Sequence, residues 1–183
     1  MDTPAVLARD LATLTAALAM PGADLGALLT GLSRRIRLVV PSSVGLSMTV
    51  VMDDVPITLT IMDGASVAAS MRLPLSALGA AEAGSFVVLY AANAGAFVDL
   101  AADADFVVGA GKRLAVLDDD LHPTPAPGLD GLKTLSAINR AIGFLIGDGH
   151  TPAGASAELD RRALATGISR HAAALRVVGP TAE

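Results

Sequence analysis

Three consecutive aspartates, Asp118, Asp119 and Asp120, are followed by His122. Several carboxylates together are what hard cations such as Ca²⁺ and Mg²⁺ require. Adjacent residues of an extended chain point in opposite directions, however, so three consecutive carboxylates do not converge on one ion. We therefore predict a solvated acidic loop here and no metal site.

No other stretch has the residues of an enzyme site. Residues 109–112 (GAGK) contain the glycines and lysine of a phosphate loop, but they lack its spacing and its Ser or Thr after the lysine, so we predict a helix end and a turn. No serine lies in a G-x-S-x-G motif, the chain has no cysteine, and its three histidines are scattered. We expect no catalytic residue, no cofactor and no enzymatic activity.

The basic residues near the C-terminus are the remaining candidates. Lys133 and Arg140 are seven residues apart and would share one face of a helix, while Arg161 and Arg162 lie further along the chain. Such side chains contact phosphate groups in nucleic-acid complexes. The alternative is that they are the solvated surface of an amphipathic helix bundle, and the spacing is compatible with both.

The elements that would carry these cations form a small all-α module over residues 130–180. The first helix is predicted over 131–146, and Gly147 to Gly149 end it. Thr151 and Pro152 supply an N-cap and an N1 proline for a second helix that ends near Gly167, and Ser169 caps a third over 170–178. In the first helix, the residues predicted to point inward are Leu132, Leu135, Ile138, Ile142, Leu145 and Ile146.

Residues 1–121 predict an α/β (α+β) domain with an antiparallel sheet and flanking helices. Helical periodicity covers 4–19, 23–39 and 97–108. Strands are predicted over 44–52 and 55–62, joined by a two-residue turn, and over 67–75, 86–90 and 114–117, with Pro56 favouring an edge position for the second strand. Residues 122–129, rich in proline, are predicted to be a linker.

Charge and composition limit the function. Residues 1–125 have a net charge of −6 and residues 126–183 one of +1, so a broad nucleic-acid surface is not expected in the first part. Aromatic residues make up 3% of the chain, which leaves few platforms for stacking bases. Asp2, Arg9 and Asp10 interrupt any secretory signal, and the apolar run between Glu82 and Asp99 is too short and broken to span a bilayer. We expect a soluble cytoplasmic protein.

Three stretches in the first part resemble the second half of a GAF domain. Residues 71–75 (MRLPL) are followed by 84–91 (GSFVVLYA), and residues 95–97 (GAF) open a helix. In that family a strand ending in a similar "LPL" precedes a strand such as "GSLVLYA" and a closing helix. The resemblance implies a GAF-like sensor domain, with a small-molecule ligand or a protein partner as its possible signal.

The tail resembles an ANTAR module. Residues 138–146 (INRAIGFLI) are similar to that family's "I-D-x-A-K-G-I-L-M" core. The residues that carry the motif and its packing are Ile138, Ala141 and Gly143, with Ala155, Leu159 and Ala163 where the family packs its second helix. The resemblance implies a bacterial signalling regulator whose tail binds paired RNA hairpins and prevents transcription termination.

Two hypotheses from different classes therefore stay open. The first is a sensor-controlled antiterminator in which Arg140, Lys133, Arg161 and Arg162 contact RNA. The second is a degenerate regulator that acts through protein–protein interaction or dimerisation, favoured by the tail's small net charge and by Ile142, which stands where the family has a lysine. In either case the leucine stripe at residues 7, 11, 14 and 18 predicts a homodimer.

Overall fold

The computed structural model describes residues 24–52, 54–63, 66–77, 82–107, 113–122 and 126–179. The chain divides into two compact units, Met1–Leu129 and Asp130–Glu183. The predicted helix over 4–19, with the leucine stripe that motivates the homodimer, and the 109–112 segment lie outside the described residues. Within these ranges, no helix is both long and apolar enough to cross a bilayer.

The first unit is built on a six-stranded sheet in the order β5-β3-β4-β1-β2-β6. Its strands are β1 (Ser43–Met52), β2 (Val55–Met62), β3 (Ala69–Pro74), β4 (Phe86–Ala91), β5 (Val116–Leu117) and β6 (Gly128–Asp130). The pairings β1–β2, β1–β4, β3–β4 and β3–β5 are antiparallel. Mixed α/β structure with an antiparallel sheet is thus confirmed, and β4, whose run of apolar residues predicts a central strand, is central.

One face of the sheet forms the apolar core. Helix α1 (Leu25–Val39) contributes Leu29, Leu32 and Ile36, and helix α2 (Val98–Val107) contributes Leu100 and Ala104. Alternation along the strands places a matching set of apolar side chains in the same core: Leu46, Met48, Met71, Leu73, Val87 and Leu89. Their burial removes apolar surface from water and is the main driving force for this unit.

The opposite face of the sheet carries buried polar side chains that are paired across strands. The hydroxyls of Ser47 and Thr60 are 2.8 Å apart, and those of Thr49 and Thr58 are also 2.8 Å apart. Buried hydroxyls are tolerated when each has such a partner. These pairs explain why every second residue in this part of β1 and β2 is polar although it points to a buried face.

The second unit contains three helices, α3 (Leu132–Gly147), α4 (Pro152–Thr166) and α5 (Arg170–Val178), each of which contacts the other two. The Thr151 side chain accepts a hydrogen bond from the Gly154 amide at 3.1 Å. That of Ser169 accepts one from the Ala172 amide, also at 3.1 Å. Both predicted N-caps are confirmed, because local sequence alone decides them.

Three expectations require correction. Pro56 does not lie on an edge strand, because β6 pairs beyond β2. β6 is only three residues long, so it cannot pair with all eight residues of β2. Residues 128–130, partly in the predicted linker, form that strand, since proline and glycine exclude helix but permit extended backbone. Leu132 and Ile146 are exposed, because the buried stripe of α3 is centred on Ala141.

Candidate nucleic-acid interface

Helix α3 separates its buried stripe from its charged face. Ile138, Ala141 and Leu145 are buried against the other helices of the tail. Since each residue turns an α-helix by about 100°, Arg140 lies about 200° from Ile138, and Lys133 lies within about 20° of Arg140. Both cations are exposed, as predicted. Among the described residues, neither has a carboxylate partner.

The other two predicted contacts, Arg161 and Arg162, are held by a carboxylate of their own helix. Glu158 is buried, with 8% of its side chain exposed, and forms ion pairs with both guanidinium groups. Its Oε1 accepts a hydrogen bond from Arg162 Nε at 2.7 Å. A buried carboxylate requires such compensation. The pairing neutralises part of the positive charge that Arg161 and Arg162 would otherwise offer to phosphate groups.

The two remaining tail arginines are on α5. Arg170 pairs with Asp160 at 3.1 Å and donates a hydrogen bond to the Ser156 hydroxyl at 2.6 Å. Arg176 lines a groove with Arg162 and Thr166. Arg176 lies in the last turn of α5, where the helix dipole favours cations and disfavours anions. Arg176 is therefore better placed to stabilise the end of α5 than to bind phosphate.

The motif residues divide into two groups. Ala155 and Leu159 are fully buried and Ala163 nearly so, together with Ile138 and Ala141 of α3, so the tail's packing positions are where the sequence predicts them. Gly143 is different, since it is exposed and a Cβ added there would meet no atom within 4 Å. It does not serve close packing within the described part of the tail.

Sequence reasoning missed Phe144. Its side chain is 53% exposed, and it lines a shallow groove with Arg140, Gly143, Gly147 and Asp148. Its spacing could have indicated this position, because residue 144 is four positions after the exposed Arg140, and such pairs are neighbours on a helix surface.

The acidic run of the first unit is not simply solvated. Asp118 Oδ1 accepts a hydrogen bond from the Ser70 amide at 2.9 Å. Asp120 forms a bidentate pair with Arg72, whose guanidinium carbon lies 4.4 Å from the Phe86 ring centroid. The hydrogen bond with Asp120 raises the pKa of Arg72 above its ordinary value. These carboxylates anchor the turn to β3, and across the described ranges no three metal-ligating side chains form a group.

Comparison with known proteins finds no match to this chain among protein-family models, curated proteins or solved structures. The GAF and ANTAR relationships are thus resemblances of short motifs.

Proposed function

We propose that the chain is a cytoplasmic signal-transduction regulator in which a GAF-like sensor domain controls an ANTAR-like, RNA-binding tail that acts in transcription antitermination. The observation that carries this proposal is the placement of Lys133 and Arg140. Both are exposed on one face of α3, about 10 Å apart along the helix axis, opposite the buried stripe. Cations without a carboxylate partner are the groups that can neutralise phosphates.

Arg161 and Arg162 are less available than Lys133 and Arg140 to bind phosphate. Because Glu158 binds Arg161 and Arg162, the proposed phosphate contacts are centred on α3, and α4 has a supporting part. The antiparallel sheet with two helices against one face supports a sensor-like first unit. We propose no catalytic role for either unit.

A second candidate, a tail that docks on a protein or a second copy, is favoured by its exposed apolar residues. Leu164 is 83% exposed on α4, and Leu175 is also exposed on α5. Exposed apolar side chains supply the contact area that a protein interface covers. In this alternative α3 needs no phosphate contact.

Fluorescence anisotropy with a pool of labelled RNA hairpins tests the choice directly. The RNA-binding proposal expects saturable binding that weakens as salt is raised, since phosphate contacts release counterions. Light scattering of the same samples reports self-association. Dimers that bind no hairpin at any salt concentration would leave the protein-docking function in its place.

A further inference from the structure

We propose that the groove on α3, formed by Arg140, Gly143, Phe144 and Gly147, binds an unpaired base of RNA, with the base stacked on Phe144 and an adjacent phosphate held by Arg140. This inference rests on the proposed RNA-binding function and specifies its mode. It predicts that the tail recognises looped or single-stranded nucleotides within the hairpin.

An aromatic ring and a cation lie side by side in this groove. Arg140 and Phe144 are four residues apart, a spacing that puts Cβ atoms about 5–6 Å from each other, and a single nucleotide can bridge that separation. Both line the same groove. Base stacking on aromatic rings with Arg on the backbone is how proteins bind unpaired nucleotides.

The glycines leave the floor of the groove open. A Cβ at Gly143 or Gly147 would have no heavy atom within 4 Å, and neither residue has a positive φ. Neither the backbone conformation nor packing within the described chain thus requires glycine at Gly143, although glycine weakens a helix interior relative to alanine. A base that lies flat against the helix backbone would require glycine at this position, because a side chain would occupy its place.

Charge favours a nucleotide over an apolar partner. Lys133 and Arg140 are both on this face, and Asp148 lies at the opposite end of the groove, near the end of α3. A ligand with a negative charge at the arginine and an aromatic ring at Phe144 matches that order.

The chain supplies a matched control in Phe106. It is 81% exposed near the end of α2, and the charged residues that directly precede it in that helix, Asp103 and Asp105, are acidic. Phe144→Ala and Phe106→Ala therefore each remove one exposed ring, and only the first removes a ring from the groove with Arg140. Phe144→Tyr retains the ring, and Gly143→Leu fills the groove while keeping a good helix former.

The test compares the full chain and these variants on two RNA probes, hairpins with an unpaired random loop and fully paired duplexes of equal length. Phe144→Ala should weaken hairpin binding by roughly 10-fold, the loss expected for one stacked base, with duplex binding unchanged. Gly143→Leu should behave similarly, Phe144→Tyr should bind more tightly than Phe144→Ala because its ring can still stack, and Phe106→Ala should match the parent. Circular dichroism confirms that each variant is folded.

The outcomes separate the two proposals. If the parent binds hairpins and the folded Phe144→Ala and Gly143→Leu variants bind them equally well, the stacking inference is wrong and the RNA-binding function stands. If the parent binds neither probe, both are wrong. If Phe144→Ala reduces self-association in light scattering but leaves hairpin affinity unchanged, the groove is a protein interface and the inference is overturned.

Discussion

Glu158 Oε1 accepts a hydrogen bond from Arg162 Nε at 2.7 Å, and the carboxylate that accepts it is buried. Arg161 pairs with the same carboxylate but is the more exposed partner, at 71% against 47%. The two arginines therefore differ in their structural role, although the sequence presents them as equivalent neighbours.

The first prediction follows from this difference. Arg162→Ala should lower the free energy of unfolding of the tail by about 1 kcal/mol, after allowance for the solvent exposure of the guanidinium. Arg161→Ala should have a smaller effect. Urea unfolding followed by circular dichroism measures both, and equal losses for the two variants would show that the pairing is not what distinguishes them.

Tyr90 gives a prediction for alkaline pH. Burial raises the pKa of its hydroxyl above the ordinary value of 10.0, although the hydrogen bond with Ser47 acts in the opposite direction. A group whose pKa is higher in the folded state holds its proton more tightly there, so its stabilising contribution is complete below pH 10 and is lost as pH rises through the folded pKa.

We expect Tyr90→Phe to remove this part of the pH dependence. The variant starts from a different stability because the hydroxyl is absent, so the comparison is between slopes. Urea unfolding at several pH values on both sides of 10 measures them. Since Tyr90 is the chain's single tyrosine, its ultraviolet absorbance follows the ionisation directly. Parallel profiles for parent and variant would contradict the argument.

Two glycine substitutions should have opposite effects. Gly143→Ala places a methyl group in open space inside a helix and should stabilise the tail by up to about 1 kcal/mol. Gly45→Ala places one against the Ile61 carbonyl oxygen and Met62, whose Cα would be 2.9 Å away. It should destabilise the first unit by at least about 1–3 kcal/mol. Thermal unfolding ranks the two, and a stabilising Gly45→Ala would refute the packing described for β1 and β2.

The features that sequence predicts well are those decided locally. Thr151 with Pro152, and Ser169, set the start of α4 and α5 through hydrogen bonds between residues three apart. The continuous apolar run of β4 likewise indicates its central position. In each case the physical cause lies within a few neighbouring residues.

The features that sequence misses depend on distant partners. Asp120 pairs with Arg72 across 48 residues, and nothing near Asp120 indicates that contact. β6 joins the sheet because β2 has a free side, which its own three residues do not reveal. Phe144 is exposed because Ala141 and Leu145 already fill the position that faces the bundle. Tertiary packing decides all three.

The proposed function requires that Lys133 and Arg140 contact RNA phosphates. The direct measurement is the salt dependence of hairpin affinity for the parent and for the double variant with Lys133→Ala and Arg140→Ala. The control is a second double variant, Arg34→Ala with Arg113→Ala, which removes two exposed cations of the first unit. The double variant should bind more weakly, with a slope of log affinity against log salt lower by about two, roughly one per lost phosphate contact. The control should keep the parent slope. An unchanged slope in the double variant, or a parent that binds no hairpin, would contradict the claim.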